Sequence, residues 1–200
     1  MKIIRQIAPV ISVLFVLLSC QNNESDLLSD AEIERRFSAL EDNKAVAIFK
    51  IGNKPFYTEE IQPFGVRIDV SFASLRGNLM NEEGANLLFD FARSDWYTQQ
   101  PVIFKLTSSS SGFSTDYGKL MIGKRLSQGL EELEGYIFVD GTFTVLQFTE
   151  ERFVAVVKGK VTKPGDADIP ENMESIEGFI IAKKPPMTFD SIDKNLIFYK

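Results

Sequence analysis

The chain has 200 residues, a formal net charge of −6 at pH 7, no histidine and one cysteine. The absence of histidine excludes Ser-His-Asp and Cys-His catalysis and imidazole metal ligands, and a single cysteine excludes a disulfide framework. Lysine and arginine are scattered along an acidic chain, which argues against nucleic acid and anionic lipid head groups as partners.

The first element in chain order is a predicted signal peptide at residues 1–19. Lys2 and Arg5 form a positive start, and the apolar run over 7–18 is too short to cross a bilayer, which takes about 20 apolar residues. Leu17-Leu18-Ser19-Cys20 is similar to the lipobox of bacterial lipoproteins. This resemblance implies cleavage before Cys20, a lipid on its sulfur and an acyl chain such as palmitate on its amine. The alternative is a plain secretory signal that ends near a cysteine.

Residues 20–28 are predicted to be a flexible polar tether between the membrane and the folded domain. Gln21 stands where an aspartate would indicate retention in the inner membrane, so the resemblance implies an outer membrane lipoprotein facing either the periplasm or the medium. The segment 21–26 is also similar to the acidic export signal of surface lipoproteins in Bacteroidota, although a plain tether explains it equally well.

The rest of the chain, 29–200, is predicted to be a single β domain that begins with one helix at 29–41. Ser29 and Glu32 fit a capping box, and Ile33, Phe37 and Leu40 recur on one helical face. This apolar face predicts that the helix packs on the domain, which we favour over a free helix that binds a partner.

After Asn43 the hydrophobic pattern alternates with a period of two, which predicts short strands. Gly52-Asn53 predicts a turn between the first two strands, and Asp140-Gly141 predicts a tight two-residue turn within a meander. The candidate strands are 45–51, 54–58, 66–72, 87–91, 102–106, 120–122, 135–139, 143–148, 153–161, 176–182 and 196–199. About eight to ten short antiparallel strands without a long helix predict a sandwich or an open barrel.

The meander carries a family resemblance. Its pattern is a Gly-led strand at 135–138, Asp140-Gly141-Thr142-Phe143, a strand with glycine at 154–160 and a later echo at 176–179. In this pattern the chain resembles a group of small uncharacterised lipoproteins from Bacteroidota. The resemblance implies a β domain on a lipid tether and no known activity.

Four aromatic residues are candidates for a ligand site. Trp96 and Tyr97 follow a carboxylate in a loop-like stretch, where an exposed aromatic pair would stack on a sugar or anchor an interface. A Ser-rich run leads to Phe113 and Tyr117, which would form a rim beside Trp96. The alternative, which we favour for Trp96, is that it caps the open end of the core.

Three carboxylates at Asp166, Asp168 and Glu171 lie within one loop. Oxygen-rich loops of this kind can hold calcium. Pro164-Gly165 and Pro170 predict a loop and not a regular strand, so catalysis by these acids is disfavoured. A solvated acidic loop is the favoured interpretation, and no metal or cofactor is predicted.

The sequence predicts a non-catalytic, lipid-anchored envelope domain that binds a protein or glycan, and not an enzyme. A second hypothesis is a β-barrel carrier of an apolar small ligand, which requires a cavity lined by phenylalanines. A third is a glycoside hydrolase, which requires two acids from separate strands in one cleft.

Overall fold

The computed structural model describes residues 28–61, 63–107, 117–126 and 133–199. The predicted signal peptide, Cys20 and the tether up to residue 27 lie outside these ranges, as does Phe113. Within them the protein is mainly β, as predicted, and one helix, α1 (Asp30–Ala39), precedes the first strand.

The strands are short except for the central one, which is twice the length of most others. The described residues contain β1 (Lys44–Ile51), β2 (Lys54–Tyr57), β3 (Phe64–Ser71), β4 (Ser74–Met80), β5 (Asn86–Ala92), β6 (Val102–Thr107), β7 (Tyr117–Arg125), β8 (Leu133–Phe148), β9 (Arg152–Thr162), β10 (Glu174–Lys183) and β11 (Met187–Asp190).

Eight of these strands close into an antiparallel barrel in the order β1-β10-β9-β8-β7-β5-β4-β3 and back to β1. The closing contact pairs Lys44 with Gly65 and Ala45 with Phe64. The prediction of a β domain is therefore confirmed, but the barrel is closed and is neither a sandwich nor an open barrel. Hydrophobic alternation shows which face of a strand is buried, and does not show whether the two edges of a sheet meet. β2 lies beside β1, β6 beside β8, and β11 runs parallel to β3.

The inward-facing side chains fill the barrel with aromatic rings. Phe91 lies 4.5 Å from Phe104 and 4.7 Å from Phe143 between ring centroids, and Phe89 lies 5.1 Å from Phe143. These aromatic rings and their aliphatic neighbours belong to one continuous buried cluster, which contains side chains from all eight strands of the barrel. These side chains therefore form a packed core in the interior of the barrel.

The predicted turn at Asp140-Gly141 is wrong, because both residues lie inside the unbroken strand β8. The pairing with β9 shifts between Phe138 and Asp140, so Val139 forms a bulge, and Gly141 has a φ of +139°. Asp-Gly provides the positive φ that a hairpin turn needs, but the same freedom lets a long strand bend around a barrel. The local sequence does not distinguish these two uses.

Strand β4 was not predicted, because its inward positions read Leu75, Gly77 and Leu79 and the glycine hides the alternation. A side chain at Gly77 would collide with the ring of Phe89, which occupies that space. The candidate strand at 196–199 is also wrong: a short helix, α2 (Lys194–Ile197), lies there with Asp193 as its N-cap.

Helix α1 packs on the outside of the barrel, as its apolar face predicts. Ser29 caps it by accepting a hydrogen bond from the Glu32 N–H at 3.3 Å. Ile33 is buried in a second cluster, on the outer faces of β1, β9 and β10, against which Phe37 and Leu40 also pack. The helix thereby covers an apolar part of the barrel wall.

Charged contacts hold this helix in place. The Arg152 guanidinium donates to the Glu34 carboxylate at 3.0 Å and lies 3.8 Å from the Phe37 ring centroid. The hydrogen bond from Arg152 lowers the pKa of Glu34, and that from Arg35, with Arg36 beside it, lowers the pKa of Glu32 to about 2. Both carboxylates are therefore charged at neutral pH.

Candidate functional site: a groove where two strands share one edge of β8

The candidate site begins with an unusual pairing around β8. β7 pairs with residues 133–137 of this strand, and β6 pairs with residues 140–145 along the same edge. The bulge at Val139 lies between the two pairings. One edge of β8 is therefore shared, and a groove forms where β7 leaves β8 and β6 takes its place.

This fork groove has a volume of about 810 Å³. Leu106 and Val139 are its buried members, and polar and charged side chains surround them. The remaining lining residues are Arg93, Ile103, Lys105, Thr107, Tyr117, Asp140, Gly141 and Thr142. A volume of this order suits a small ligand or a few units of a polymer.

Two glycines determine the shape of the groove floor. Gly141 in β8 pairs directly with Gly159 in β9, and a methyl group on either would collide with the backbone of the other strand. Because neither residue has a side chain, the two strands approach closely at the bend. The bend in β8 is therefore a consequence of sequence at two positions that are distant along the chain.

Arg93 forms one wall of the groove and is itself fixed. Its guanidinium donates to the Ile103 carbonyl at 2.9 Å and to the Trp96 carbonyl at 3.2 Å, and it lies 5.2 Å from the Phe104 ring centroid. These contacts hold the start of β6 against the end of β5. Arg93 is best understood as a support of the groove.

Tyr117, which the sequence predicts as a ligand residue beside Trp96, lies in strand β7 and lines the fork groove, which Trp96 does not line, and its polar end is occupied. The Tyr117 hydroxyl donates to the Asp90 carboxylate at 3.2 Å, and the Lys119 ammonium lies 5.5 Å from its ring centroid. Arg76 donates to the same carboxylate at 2.9 Å, and this hydrogen bond raises the pKa of Arg76. Tyr117 therefore contributes a fixed wall and not a free hydroxyl.

Three exposed side chains in the groove are unpaired within the described part of the chain. Neither the Lys105 ammonium, the Asp140 carboxylate nor the Thr142 hydroxyl has a hydrogen bond or ion pair there. They provide a cation, an acceptor and a group that both donates and accepts. The sequence analysis missed all three, because the pairing of β6 with β8 joins segments that are distant along the chain.

No family model matches the chain, and no curated protein or solved structure matches it significantly.

Trp96 does not form the exposed aromatic platform considered above, because it is fully buried. Its indole N–H donates to the Ser71 carbonyl at 3.0 Å, and its ring lies 5.8 Å from Phe104 and 6.2 Å from Phe148. Tyr97 is partly buried and packs edge-on against Trp96. The favoured alternative, a tryptophan that caps the core, is the one the structure shows.

The loop acids Asp166, Asp168 and Glu171 lie in a turn and a short 3-10 helix after β9. Within the described ranges, no group of three or more acidic or cysteine side chains has an arrangement that could hold a metal ion. The speculative calcium site at these three residues is therefore not supported by the geometry.

Two smaller grooves lie elsewhere on the surface. One, of about 320 Å³ beside α1, contains Arg36 and Glu59, which form an ion pair at 2.6 Å with each other. The other, of about 450 Å³, contains Lys44 and the adjacent pair Glu82 and Glu83. That pair comes from one turn and not from two strands, so it does not meet the requirement for glycoside chemistry.

Among residues 28–61, 63–107, 117–126 and 133–199, no helix combines the length and the apolar character needed to cross a membrane.

Proposed function

We propose that this protein is a non-catalytic binding domain of the bacterial envelope, and that the fork groove is its ligand site. The observation that carries the proposal is the unpaired trio Lys105, Asp140 and Thr142 in an open groove beside a packed core. Ligand sites combine a preformed concave surface with a few convergent polar groups, and these residues supply both.

The composition of the groove supports binding over catalysis. Among the described residues that line the groove, Asp140 is the single carboxylate, whereas glycoside hydrolysis by the usual mechanisms uses two. The chain has no histidine to act as a general base near neutral pH. The aromatic packing inside the barrel gives no support to a carrier of apolar ligands.

We also propose that the protein is anchored in the outer membrane by lipid on Cys20. The support is the lipobox-like sequence at 17–20 and the lone cysteine of the chain. Several acyl chains on one residue make the attachment effectively permanent, because each buried methylene contributes about 0.8 kcal/mol. The binding domain would then act close to the membrane surface.

The groove is tested by filling it. The full chain, purified in a neutral detergent, is screened against immobilised glycans and peptides. The binding of the wild-type protein is then compared with that of the variant Thr142→Trp. Thr188→Trp is the matched control, since Thr188 is an exposed strand residue of β11 outside the groove. We expect Thr142→Trp to abolish binding that Thr188→Trp retains. Binding that is indifferent to Thr142→Trp would contradict the proposed site.

The anchor is tested separately with Cys20→Ala. We expect the wild-type protein to fractionate with the outer membrane and to carry the mass of a lipid, and the variant to lack both properties. A wild-type protein whose intact mass shows no lipid would refute the anchor and leave the groove hypothesis unaffected.

A further inference from the structure

Two lysines of β9 and one of β6, which is distant along the chain, lie together on the outer wall of the barrel. Lys105 in β6 and Lys158 in β9 both pair with Thr142 in β8, from opposite sides, and Lys160 pairs with Asp140 in the same way. All three lysines are exposed. We call Lys105, Lys158 and Lys160 the lysine patch; it begins in the fork groove and extends across β8 and β9.

The spacing of the patch follows from sheet geometry. Neighbouring residues on paired antiparallel strands are about 5 Å apart, so Lys105 and Lys158 lie about 10 Å apart at their Cα atoms. Lys158 and Lys160 are alternate residues of one strand, about 7 Å apart. Their side chains therefore leave the same face as a compact triangle of positive charge.

The patch is not neutralised within the described part of the chain. No hydrogen bond or ion pair reaches the ammonium groups of Lys105, Lys158 or Lys160 there. Two carboxylates face the same surface in register, Asp140 opposite Lys160 and Glu177 opposite Lys158, but neither forms an ion pair with a lysine of the described ranges. Three unpaired cations side by side give an acidic protein a local positive surface, which attracts anionic ligands.

We propose that the lysine patch and the fork groove together bind an acidic glycan, a polysaccharide with carboxylate groups on its sugars. This inference rests on the proposed binding function and specifies its ligand class. The three lysines hold the carboxylates of the glycan as compact cationic donors. Thr142 lies between Lys105 and Lys158, and Asp140 lies beside Lys160. Both bind the sugar hydroxyls, Asp140 by accepting hydrogen bonds.

The mixture of groups favours a glycan over other anions. Asp140 accepts hydrogen bonds, and an acidic peptide has few hydroxyls to donate to it. A membrane of anionic lipids presents a flat array of charge, whereas the unpaired groups here begin inside a groove. An acidic sugar carries both carboxylates and hydroxyl donors in every repeat, which matches lysines interleaved with Thr142 and Asp140.

The experiment uses the full chain in a neutral detergent, with oligogalacturonate of uniform length as the probe. Its fully methyl-esterified form is the neutral match, and a polyglutamate peptide and phosphatidylglycerol vesicles represent the other anions. The test protein carries Lys105→Gln, Lys158→Gln and Lys160→Gln. The control carries Lys54→Gln, Lys184→Gln and Lys194→Gln, which remove the same charge from exposed positions elsewhere.

We expect the wild-type protein and the control to bind oligogalacturonate and not its methyl ester. An exposed charge pair changes affinity by about twofold to fivefold, so each patch substitution alone should do the same and the triple variant should lose more than about tenfold. Binding should weaken as salt rises, because exposed pairs are screened. The triple Lys→Arg variant keeps the charge and should retain binding, which separates loss of charge from loss of fold.

Three results would overturn the inference: equal binding by the triple Gln variant and the wild type, equal binding of the methyl ester, or binding of polyglutamate or vesicles in preference to the glycan. If a neutral ligand from the screen depends on Thr142 while oligogalacturonate does not bind, the proposed function stands and the lysine patch does not. If no ligand depends on Thr142, both are wrong.

Discussion

The substitution Tyr57→Phe tests how the barrel is joined between β2 and the opposite strands. Tyr57 is fully buried, and its hydroxyl accepts from the Gly123 N–H at 3.0 Å and lies 2.8 Å from the Gly123 carbonyl oxygen. The same hydroxyl also contacts the Asn86 carbonyl oxygen. One side chain of β2 thereby bridges the backbones of β5 and β7 at a paired position, Asn86 with Gly123.

The expected cost follows from what phenylalanine leaves behind. The ring packing against Phe56 and Phe64 is retained, while the part-buried Gly123 N–H and one backbone carbonyl lose the hydroxyl as partner. Leaving such groups unsatisfied costs about 1–3 kcal/mol. For a domain of this size, a loss of about 2 kcal/mol lowers Tm by about 4–8 °C. Urea unfolding and calorimetry measure both quantities.

The control for this prediction is Tyr97→Phe, because the Tyr97 hydroxyl makes an exposed bond to Asp95 at 3.4 Å. Its free energy of unfolding should stay within about 0.5 kcal/mol of the wild type. If Tyr57→Phe is as stable as Tyr97→Phe, with an unchanged urea slope, the bridging hydroxyl has no energetic importance and the reasoning fails.

Burial of the Tyr57 hydroxyl also makes the stability of the fold depend on pH. Burial raises the pKa of Tyr57 and of Tyr199, and burial with the neighbouring Glu134 raises the pKa of Tyr136 to about 12. An unfolded tyrosine ionises near pH 10, so above that pH the folded state holds protons that the unfolded state releases. Stability is therefore full below about pH 10 and falls as pH rises further. The fall should be shallower in Tyr57→Phe.

Three further predictions concern other parts of the fold. Gly159→Ala should destabilise the protein by about 1–3 kcal/mol in urea unfolding, because its methyl group overlaps β8, whereas Gly65→Ala meets ordinary contacts and should cost less. Ile33→Ala should release α1 and increase hydrogen exchange in the helix by an amount equivalent to about 2–5 kcal/mol, and unchanged exchange would refute its role as the anchor. Acid should also release α1, because the pKa values of Glu32 and Glu34 are lowered in the folded protein. The stability that these carboxylates contribute is present above about pH 4.5 and is lost as pH falls toward 2. Hydrogen exchange in α1 at several pH values measures this loss.

Features that depend on neighbouring residues were predictable from the sequence. The turn at Gly52-Asn53 joins β1 and β2, and Gly52 has the positive φ that such turns require. Ser29 begins α1 because its hydroxyl replaces a missing intrahelical partner. The alternation of Val66, Ile68 and Val70 identified their buried face, since side chains of a strand alternate between faces.

Features that depend on pairing between distant segments were not predictable. Nothing in 102–107 indicates that β6 pairs with β8 and not with its neighbours in sequence, yet this pairing places Lys105 in the groove. Strand pairing also brings Lys105 beside Lys158 and Lys160, although more than 50 residues separate it from them along the chain. A basic surface on a sheet does not require basic residues that are adjacent in sequence, because residues of neighbouring strands lie side by side.

Asp140-Gly141, where the sequence predicts a turn, determines both the bend of the barrel strand and the position of the groove. Because these residues bend β8 instead of ending it, one edge of the strand accepts β7 before the bend and β6 after it, and the groove lies between them. The missing side chains of Gly141 and Gly159 bring β9 against the bend, which places Lys158 and Lys160 beside Thr142 and Asp140. The close approach that makes Gly159→Ala costly therefore also sets the spacing of the lysine patch. Stability and ligand binding should consequently respond together to substitutions at this bend, whereas substitutions on α1 should change stability alone.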